Sequence, residues 1–350
     1  ERQLPLCVGV DVGGLPAAIR ASLSLGASGF PYFASDTGGF RDGRPTKEVL
    51  LRWVQHTALT PILQFGGGGD THNPWDFEGK GDEPKYDQET LDIFRVYADL
   101  HIQLFPYLYT YALRAQETGV PIQRPLGLVE AEGGRHPSDQ YFFGDALYVA
   151  PVERAETTKT VEMPAGTWID WWSDASFEGS KTHEVDAPLA KLPLFAREGA
   201  IIPMLSPGVQ TLSDKPGLSH LAPAPYEGSL HVRVLTGAGG VFDAYDGSRF
   251  EYEESVADDT QVLNLTFTPG SVFLHANLEF VTTGTPLDAQ VFTLRPEDGA
   301  PPVVLPTVGA DMHAWKGCSD GCVARLDATG RWLVHAPSTV SGYTLAISAE

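Results

Sequence analysis

Two short stretches in the first third of the chain carry side chains that could do chemistry. Residues 66–75 form a glycine-rich loop that contains His72 and Trp75, and its backbone is free to approach a ligand closely. The loop lacks the Lys and Ser/Thr of a phosphate loop, which argues against a phosphate site. The apolar run 29–35 ends at Asp36, which Thr-Gly-Gly follows. Asp before Thr-Gly-Gly favours a turn in any protein, so a purely structural role for Asp36 stays open.

The cysteines and histidines give no spacing typical of a metal site, and the sequence indicates no cofactor. Three Cys are too few for a disulfide framework. Cys318 and Cys322 flank Ser-Asp-Gly, where Asp-Gly could turn the chain and permit a small local disulfide. A zinc site would need further ligands, and none is evident nearby. If the disulfide forms, the compartment is oxidising, so we expect a secreted or periplasmic protein, with a cytoplasmic one as the alternative.

Composition and charge narrow the class of protein. Apolar residues make up 42% of the 350 residues, which supplies ample core and predicts a folded chain of two or three domains. The formal net charge of −21 repels phosphate backbones and anionic membranes, so we expect no nucleic-acid partner. No apolar run approaches the ~18–20 residues of a membrane-spanning helix. The first residues resemble neither a signal peptide nor an initiator Met, so we expect the chain to begin inside a longer precursor.

The elements that must position these side chains alternate between helix and strand up to about residue 125. The pattern predicts helix 15–23, strand 29–35, helix 47–57, strand 58–65 and helix 88–118. Thr46 can cap the second helix, and Pro106 should kink the third. This order is like the last third of a parallel barrel.

From about residue 126 the helical periodicity ends, and short β-rich runs recur between Gly, Pro, Asp and Ser clusters. Examples are residues 146–152, 166–172, 230–235 and 261–267. Such spacing is typical of β-sandwiches. The Pro- and Gly-rich stretch 203–225 is the best candidate for a boundary between two of them.

Several stretches, in order, are similar to motifs of one enzyme family. Residues 26–40 end in Asp-Thr-Gly-Gly-Phe and resemble a strand that ends in Asp-Ile-Gly-Gly-Phe, and residues 48–61 resemble the helix leading into the last barrel strand. Further matches are residues 104–108, 139–144, 149–151, 164–171 and 195–203, with a weaker one at 243–247. Over about residues 11–205 the chain therefore resembles the C-terminal half of glycoside hydrolase family 31.

The resemblance implies a fold of the class α/β plus all-β. A family member has a (β/α)8 barrel followed by proximal and distal β-sandwiches, and this chain would hold only the last barrel strands. The implied domains are residues 1–125 for the C-terminal portion of the catalytic barrel, 126–208 for the proximal β-sandwich and 209–350 for the distal one. We expect an N-terminal segment or a companion chain to complete the barrel.

Catalytic residues also follow from the resemblance. Retaining hydrolysis needs a nucleophilic carboxylate and an acid/base carboxyl group. The family's nucleophile lies in a Trp-x-Asp-x-Asn-Glu type motif, which does not occur in these residues, so we expect it in a segment absent from this chain. Asp11, ahead of Gly-Leu-Pro, is the nearest match to the acid/base Asp, although Val10 splits the expected Gly-Asp pair. The alternatives are that Asp11 caps the helix that starts near Leu15, or that the true acid lies elsewhere.

The resemblance places Asp36 on the floor of the sugar pocket, with Phe40 against an apolar edge of the sugar. The last strand departs from the family's common Pro-x-x-Arg-x-His, because Gln64 occupies the Arg position and Gly66 the position of the His that binds sugar hydroxyls. Gln64 offers both a donor and an acceptor to hydroxyl groups.

Two residues of the glycine-rich loop could replace the missing contact. His72 is a substitute for the family's His, with a solvated surface residue as the alternative. Trp75 is either a stacking platform for a sugar face or a plug under the loop.

The implied function is part of a retaining α-glycoside hydrolase that acts on α-linked sugars through a covalent glycosyl-enzyme. An α-transglycosylase is equally compatible, because sugar can intercept the intermediate instead of water. The alternative from another class is a non-catalytic carbohydrate-binding or scaffold protein on the same fold. The altered last strand leaves α-galactosides, α-N-acetylhexosaminides and modified sugars open as substrates.

Overall fold

The computed structural model describes residues 14–40, 43–66, 72–81, 83–130, 136–212, 228–257, 260–282, 290–308, 318, 320–326 and 331–349. Contacts divide the chain into two compact units. The first contains residues up to 101, 111–171 and 177–195, and the second contains residues 102–110, 172–176 and 196 onwards. Within the described ranges no helix has both the length and the apolar character needed to cross a membrane. The domain boundaries at residues 125 and 208 stay predictions.

Helices occupy much of the chain before residue 130. They are α1 (Gly14–Ala27), α2 (Lys47–Ala58), α3 (Gln88–Gln103), α4 (Phe105–Thr118) and the short α5 (Leu126–Val129). Thr46 caps α2 as predicted, since its Oγ1 accepts a hydrogen bond of 3.3 Å from the Val49 N–H. The predicted long helix is broken at Leu104, two residues before Pro106, whose ring cannot continue the backbone hydrogen bonds.

The predicted strands at 29–35 and 58–65 are wrong in extent. The two runs share a single parallel bridge, between Asp36 and Gln64, and α2 continues through Ala58 into the start of the second run. A strand needs a ladder of bonded neighbours, which apolar patterning alone does not supply. The bridge is nevertheless parallel and lies where both runs end.

Helix α2 is anchored to the β-structure of the first unit by a buried arginine. Arg52 donates hydrogen bonds to the backbone carbonyls of Ala187 at 2.7 Å and Glu156 at 2.9 Å, and to Oε1 of Gln55 at 3.2 Å. Burial lowers the pKa of the Arg52 guanidinium. Because these carbonyl oxygens accept hydrogen bonds from the buried cation, Arg52 ties α2 to the segments around residues 156 and 187.

The strands between residues 123 and 197 build a six-stranded sheet and a separate two-stranded sheet. The strands are β1 (Gln123–Pro125), β2 (Tyr141–Phe143), β3 (Leu147–Val149), β4 (Thr158–Met163), β5 (Thr167–Asp170), β6 (Ser176–Glu178), β7 (Lys181–Asp186) and β8 (Leu194–Arg197). The sheet has the order β1-β2-β3-β8-β5-β6, and β4 pairs with β7. Phe142, Tyr148 and Trp168 form the centre of the core.

The second unit contains two sheets of six strands. Their strands are β9 (Ile201–Leu205), β10 (Gly228–Leu235), β11 (Gly240–Asp243), β12 (Arg249–Ala257), β13 (Thr260–Thr268), β14 (Phe273–Val281), β15 (Gln290–Pro296), β16 (Val303–Val304), β17 (Thr307–Val308), β18 (Cys322–Arg325), β19 (Trp332–His335) and β20 (Tyr343–Ala349). One sheet has the order β17-β18-β19-β14-β10-β9 and the other β11-β12-β13-β20-β15-β16.

Aromatic side chains join the two sheets of this sandwich. The rings of Phe292 and Trp332 lie 4.9 Å apart, and those of Tyr252 and Phe280 lie 6.4 Å apart. Pro203 is tolerated in β9 because that strand lies at the edge of its sheet. Cys318 and Cys322 form a disulfide with their Cα atoms 5.9 Å apart, so the pairing that the sequence permits is confirmed.

Candidate active site

Asp36 and Gln64 lie side by side at the ends of two neighbouring runs of the first unit. Gln64 Nε2 donates a hydrogen bond of 3.1 Å to Asp36 Oδ1, and the Thr37 N–H donates to the Gln64 carbonyl at 3.0 Å. Asp36 is half-buried and Gln64 is exposed. The pair therefore presents carboxylate acceptors together with an amide, which suits the recognition of hydroxyl groups.

Helix α2 fixes the backbone on both sides of Asp36. Trp53 Nε1 donates to Ser35 Oγ at 3.0 Å, and the buried Thr37 has its Oγ1 3.0 Å from Thr57 Oγ1. Trp53 and Thr57 are one helical turn apart on α2, so they reach residues 35 and 37 together. The sequence pattern predicted the helix that carries Trp53 and Thr57, and nothing in it pointed to their partners.

The segment after Asp36 is a tight turn, as its residue types predict. The Gly39 N–H donates to the Asp36 carbonyl at 2.9 Å, and Gly38 has φ +88°, where residues with a side chain are strained. A Cβ on Gly38 would also lie 2.9 Å from Cγ of Pro45. Turn chemistry and a binding role are compatible here, because the turn uses the Asp36 backbone while the side chain meets Gln64.

His72 lies behind this turn. It is 4% exposed, and its Nδ1 is 3.3 Å from the Thr37 carbonyl oxygen. The alternative of a solvated surface residue is therefore wrong. His72 supports the backbone next to Asp36, and a direct sugar contact for it stays a prediction.

The Asp36 carboxylate lies where a side chain at position 66 would have to lie. A Cβ at position 66 would lie 2.5 Å from Cγ of Asp36 and would collide with its Oδ1. The carboxylate of Asp36 therefore fills the place that a side chain at position 66 would need. The departure from the family pattern at Gly66 is coupled to the conformation of Asp36, a link that the sequence alone does not reveal.

Two exposed aromatic rings lie in the same part of the chain. Phe40 is 51% exposed and Trp75 is 58% exposed, so Trp75 is not a buried plug. The Trp75 ring meets the Phe94 ring edge on, with the centroids 6.3 Å apart. Both rings are more than half exposed, and a stacking role for them stays a prediction.

A buried arginine that sequence reasoning missed holds the segment containing His72 and Trp75. Arg44 Nη1 donates to Asp76 Oδ2 at 2.8 Å, and its guanidinium lies 3.9 Å above the centre of the Tyr86 ring. Burial raises the pKa of Tyr86 to about 12, against the opposing effect of Arg44, and its hydroxyl donates to the Pro45 carbonyl at 3.0 Å. The only signal in the sequence was a polar loop before Pro45.

Two models of one family match the chain. The glycosyl hydrolases family 31 TIM-barrel domain matches residues 10–111, and the glycosyl hydrolase family 31 C-terminal domain matches residues 119–202. The chain belongs to glycoside hydrolase family 31. All five predicted substrate-binding residues of this family 31 chain, and Asp11, fall within the barrel match. Asp11 itself lies outside the described residues.

Relatives of known name are much longer than this family 31 chain. The α-xylosidase of Saccharolobus solfataricus is 31% identical over 255 residues, which are 70% of this chain and 32% of the relative. The isomaltosyltransferase of Sporosarcina globispora is 32% identical over 208 residues, which are 55% of this chain and 18% of the relative. The chain thus spans about a third or less of the relatives that it matches.

A solved structure shares the fold. The cycloalternan-forming enzyme from Listeria monocytogenes superposes with a TM-score of 0.76 over 95% of this chain and 30% of its own, at 24% identity. The fold class predicted for this family 31 chain, a partial barrel followed by β-sandwich structure, is confirmed.

Proposed function

We propose that this chain forms the C-terminal part of a retaining α-glycoside hydrolase that acts on α-linked sugars. The observation that carries the proposal is the hydrogen-bonded pair of Asp36 and Gln64 at the ends of two neighbouring runs of a family 31 barrel. In (β/α)8 barrels ligands meet the C-terminal ends of the strands. The matched relatives include an α-xylosidase and an isomaltosyltransferase, which supports action on α-linked sugars by hydrolysis or by transfer.

In this mechanism the described residues bind and orient the sugar. The Asp36 carboxylate accepts hydrogen bonds from sugar hydroxyls, and Gln64 both donates to and accepts from them. Phe40 and Trp75 pack against the C–H faces of the ring. The geometry that results holds the anomeric carbon for the two catalytic carboxyl groups, which retaining enzymes keep about 5–5.5 Å apart.

One catalytic carboxyl group is that of Asp11, and the other belongs to the segment that completes the barrel. Asp11 acts as the acid that protonates the leaving oxygen and then as the base that activates water or an acceptor sugar. The nucleophile comes from an N-terminal segment or companion chain that completes the barrel. Exposed apolar side chains in the two runs that lead to Asp36 and Gln64, namely Phe30, Tyr32 and Ile62, support such a partner.

The test of this proposal is Asp11→Ala in a protein whose barrel is complete. Cleavage of substrates with poor leaving groups should fall about 10²–10⁴-fold, whereas formation of the glycosyl-enzyme from activated aryl α-glycosides should be spared, because their leaving groups need little protonation. Added azide, which needs no deprotonation, should then restore turnover as an α-glycosyl azide. Equal losses on both substrates with no azide effect would show that Asp11 is only a loop residue.

A non-catalytic carbohydrate-binding protein is the second candidate. It is favoured by two departures from the family pattern: Val10 splits the Gly-Asp pair at Asp11, and Gly66 stands in place of the His that binds sugar hydroxyls. Such a protein would bind α-linked sugars without turnover even with its barrel complete. Proton NMR of a mixture of α-linked sugars distinguishes the two candidate functions. A retaining enzyme first releases the α-anomer of the sugar, and a binding protein releases no product.

The Cys318–Cys322 disulfide supports a location outside the reducing cytoplasm. We propose a secreted or periplasmic protein on this ground. Fractionation of the source cells followed by thiol labelling tests the location, since a reduced, cytoplasmic chain would contradict it.

A further inference from the structure

The second unit contains a cavity of about 460 Å³ on one face of the sheet that includes β9, β10, β14 and β19. This volume falls within the ~300–1,000 Å³ typical of small-molecule sites. Every lining residue that the structure describes belongs to the second unit. The cavity is therefore independent of Asp36 and of the function proposed above.

The strand register brings polar side chains together on this face. Arg233 lies opposite Glu279, and His231 lies opposite both Asn277 and Met204. Their neighbours along the strands, such as Val232 and Leu278, point to the other face and belong to the core. The polar set is nevertheless buried, since Glu279 is 5% exposed and His231 9% exposed.

Charges in the wall of the cavity cancel. Glu279 accepts hydrogen bonds from Arg331 at 2.8 Å, Arg233 at 3.0 Å and His231 at 3.1 Å, and Arg331 also donates to Asp174 at 2.7 Å. Although burial would raise the pKa of Glu279, Arg233, His231 and Arg331 hold that pKa well below its ordinary value. Among the described lining residues Arg233 and Glu279 carry opposite full charges and form an ion pair, so these two charges offset each other. Arg331 and Asp174 form a second ion pair outside that lining.

The remaining polar groups provide both donors and acceptors. His335 Nδ1 is 2.7 Å from Asn277 Oδ1, and an amide oxygen only accepts, so the proton sits on Nδ1 and Nε2 is the acceptor of that ring. Gln103 and Asn277 add amide groups, while Met204 and Leu333 provide an apolar floor.

We propose that this cavity is a binding site for a neutral sugar, separate from the candidate active site. Sugar hydroxyls both donate and accept, which matches the mixture of imidazole and amide groups in the wall. The apolar floor fits the C–H face of a sugar ring, and the absence of net charge in the described wall disfavours anionic and cationic ligands.

Three hexoses of the same ring structure test the neutrality of the site: glucose, the anion glucose 6-phosphate and the cation glucosamine. Histidine-selective isotope labelling of the full chain lets NMR follow the imidazole signals of His231 and His335. Glucose should shift both signals in a saturable manner, and the two charged sugars should bind about tenfold more weakly, as expected for one unfavourable polar contact. No saturation by glucose up to about 100 mM, or tighter binding of a charged sugar, would overturn the proposal.

Asn277→Ala locates the site, with Asn264→Ala on β13 as the matched control outside the cavity. Asn277→Ala should weaken glucose binding about tenfold, the cost of one hydrogen bond, whereas Asn264→Ala should leave it unchanged. Asp36→Asn should also leave the imidazole shifts unchanged, which separates this site from the candidate active site. If Asn277→Ala unfolds the chain, His335→Gln replaces it. Equal binding by every folded variant would overturn the proposal.

Discussion

Asp36 in the first unit and Glu279 in the second unit are held in place in opposite ways. In the first unit Asp36 is half-buried, meets one exposed amide and is held in place through its neighbours Ser35 and Thr37. In the second unit Glu279 is buried and receives three charged or polar donors directly. A carboxylate that must meet a ligand keeps free hydrogen-bonding capacity and is positioned by its backbone. A carboxylate that completes a network is fixed by its side chain.

The largest effect on stability is expected at Glu279. Glu279→Gln leaves Arg233 and Arg331 facing each other in a buried place, so the free energy of unfolding should fall by about 3–5 kcal/mol. Urea unfolding at pH 7 measures it. The control is Glu251→Gln, because Glu251 forms an exposed ion pair with Arg249 and should cost less than about 1 kcal/mol. Equal losses in the two variants would mean that the network does not stabilise the second unit.

His56 of the first unit and Glu279 of the second unit should contribute to the pH dependence of stability in different pH ranges. His56 is fully buried, and burial lowers its pKa from 6.5 to about 3. The unfolded chain takes up this proton below pH 6.5 and the folded chain does not, so stability is lost as the pH falls, by about 2 kcal/mol between pH 7 and pH 5. The pKa of Glu279 is lower in the folded chain than in the unfolded chain, where it is about 4.3. The contribution of Glu279 to the free energy of unfolding is therefore lost only as the pH falls below about 4.3.

His56→Gln isolates the first of these contributions. The variant should show a smaller loss of unfolding free energy between pH 7 and pH 5 than the parent protein, whereas His183→Gln, at a site only half-buried, should behave like the parent. The His56 ring meets the Tyr141 hydroxyl at 3.1 Å, a bond that Gln can keep. Parallel pH profiles for parent and His56→Gln would contradict the assignment.

A smaller effect on stability, with a larger one on sugar binding, is expected at Gly66. The methyl group of Gly66→Ala would collide with the Asp36 carboxylate, which must turn away from Gln64. The free energy of unfolding should fall by no more than about 1 kcal/mol, because one partly exposed hydrogen bond is lost. Activity should fall about tenfold or more. Unchanged activity in Gly66→Ala would show that the orientation of Asp36 does not matter.

Local patterns predicted the elements but not the long-range contacts. The Thr46 cap, the break before Pro106 and most β-rich runs could be predicted because each depends on residues close in sequence. The hydrogen bond between Arg331 and Asp174 spans 157 positions, and that between Arg52 and Ala187 spans 135, so no periodicity could reveal them.

The candidate site shows the same limit. The turn at Asp36 and the unusual residues Gln64 and Gly66 were visible in the sequence, whereas the burial of His72 was not. That burial depends on the contact of His72 with the Thr37 carbonyl, 35 positions earlier in the chain. The strands at 29–35 and 58–65 were predicted too long because apolar runs do not specify which neighbours they bond.

Asp36→Asn tests the central claim most directly, measured in a protein whose barrel is complete. The variant keeps the shape of the side chain and the turn, and removes the charge that holds the sugar. The account predicts that kcat/KM for an α-glycoside falls about 100-fold, since a hydrogen bond to a charged group contributes about 1.5–3 kcal/mol, while the free energy of unfolding changes by less than about 1 kcal/mol. A matched fall in activity and stability would contradict it, because Asp36 would then be a structural turn residue.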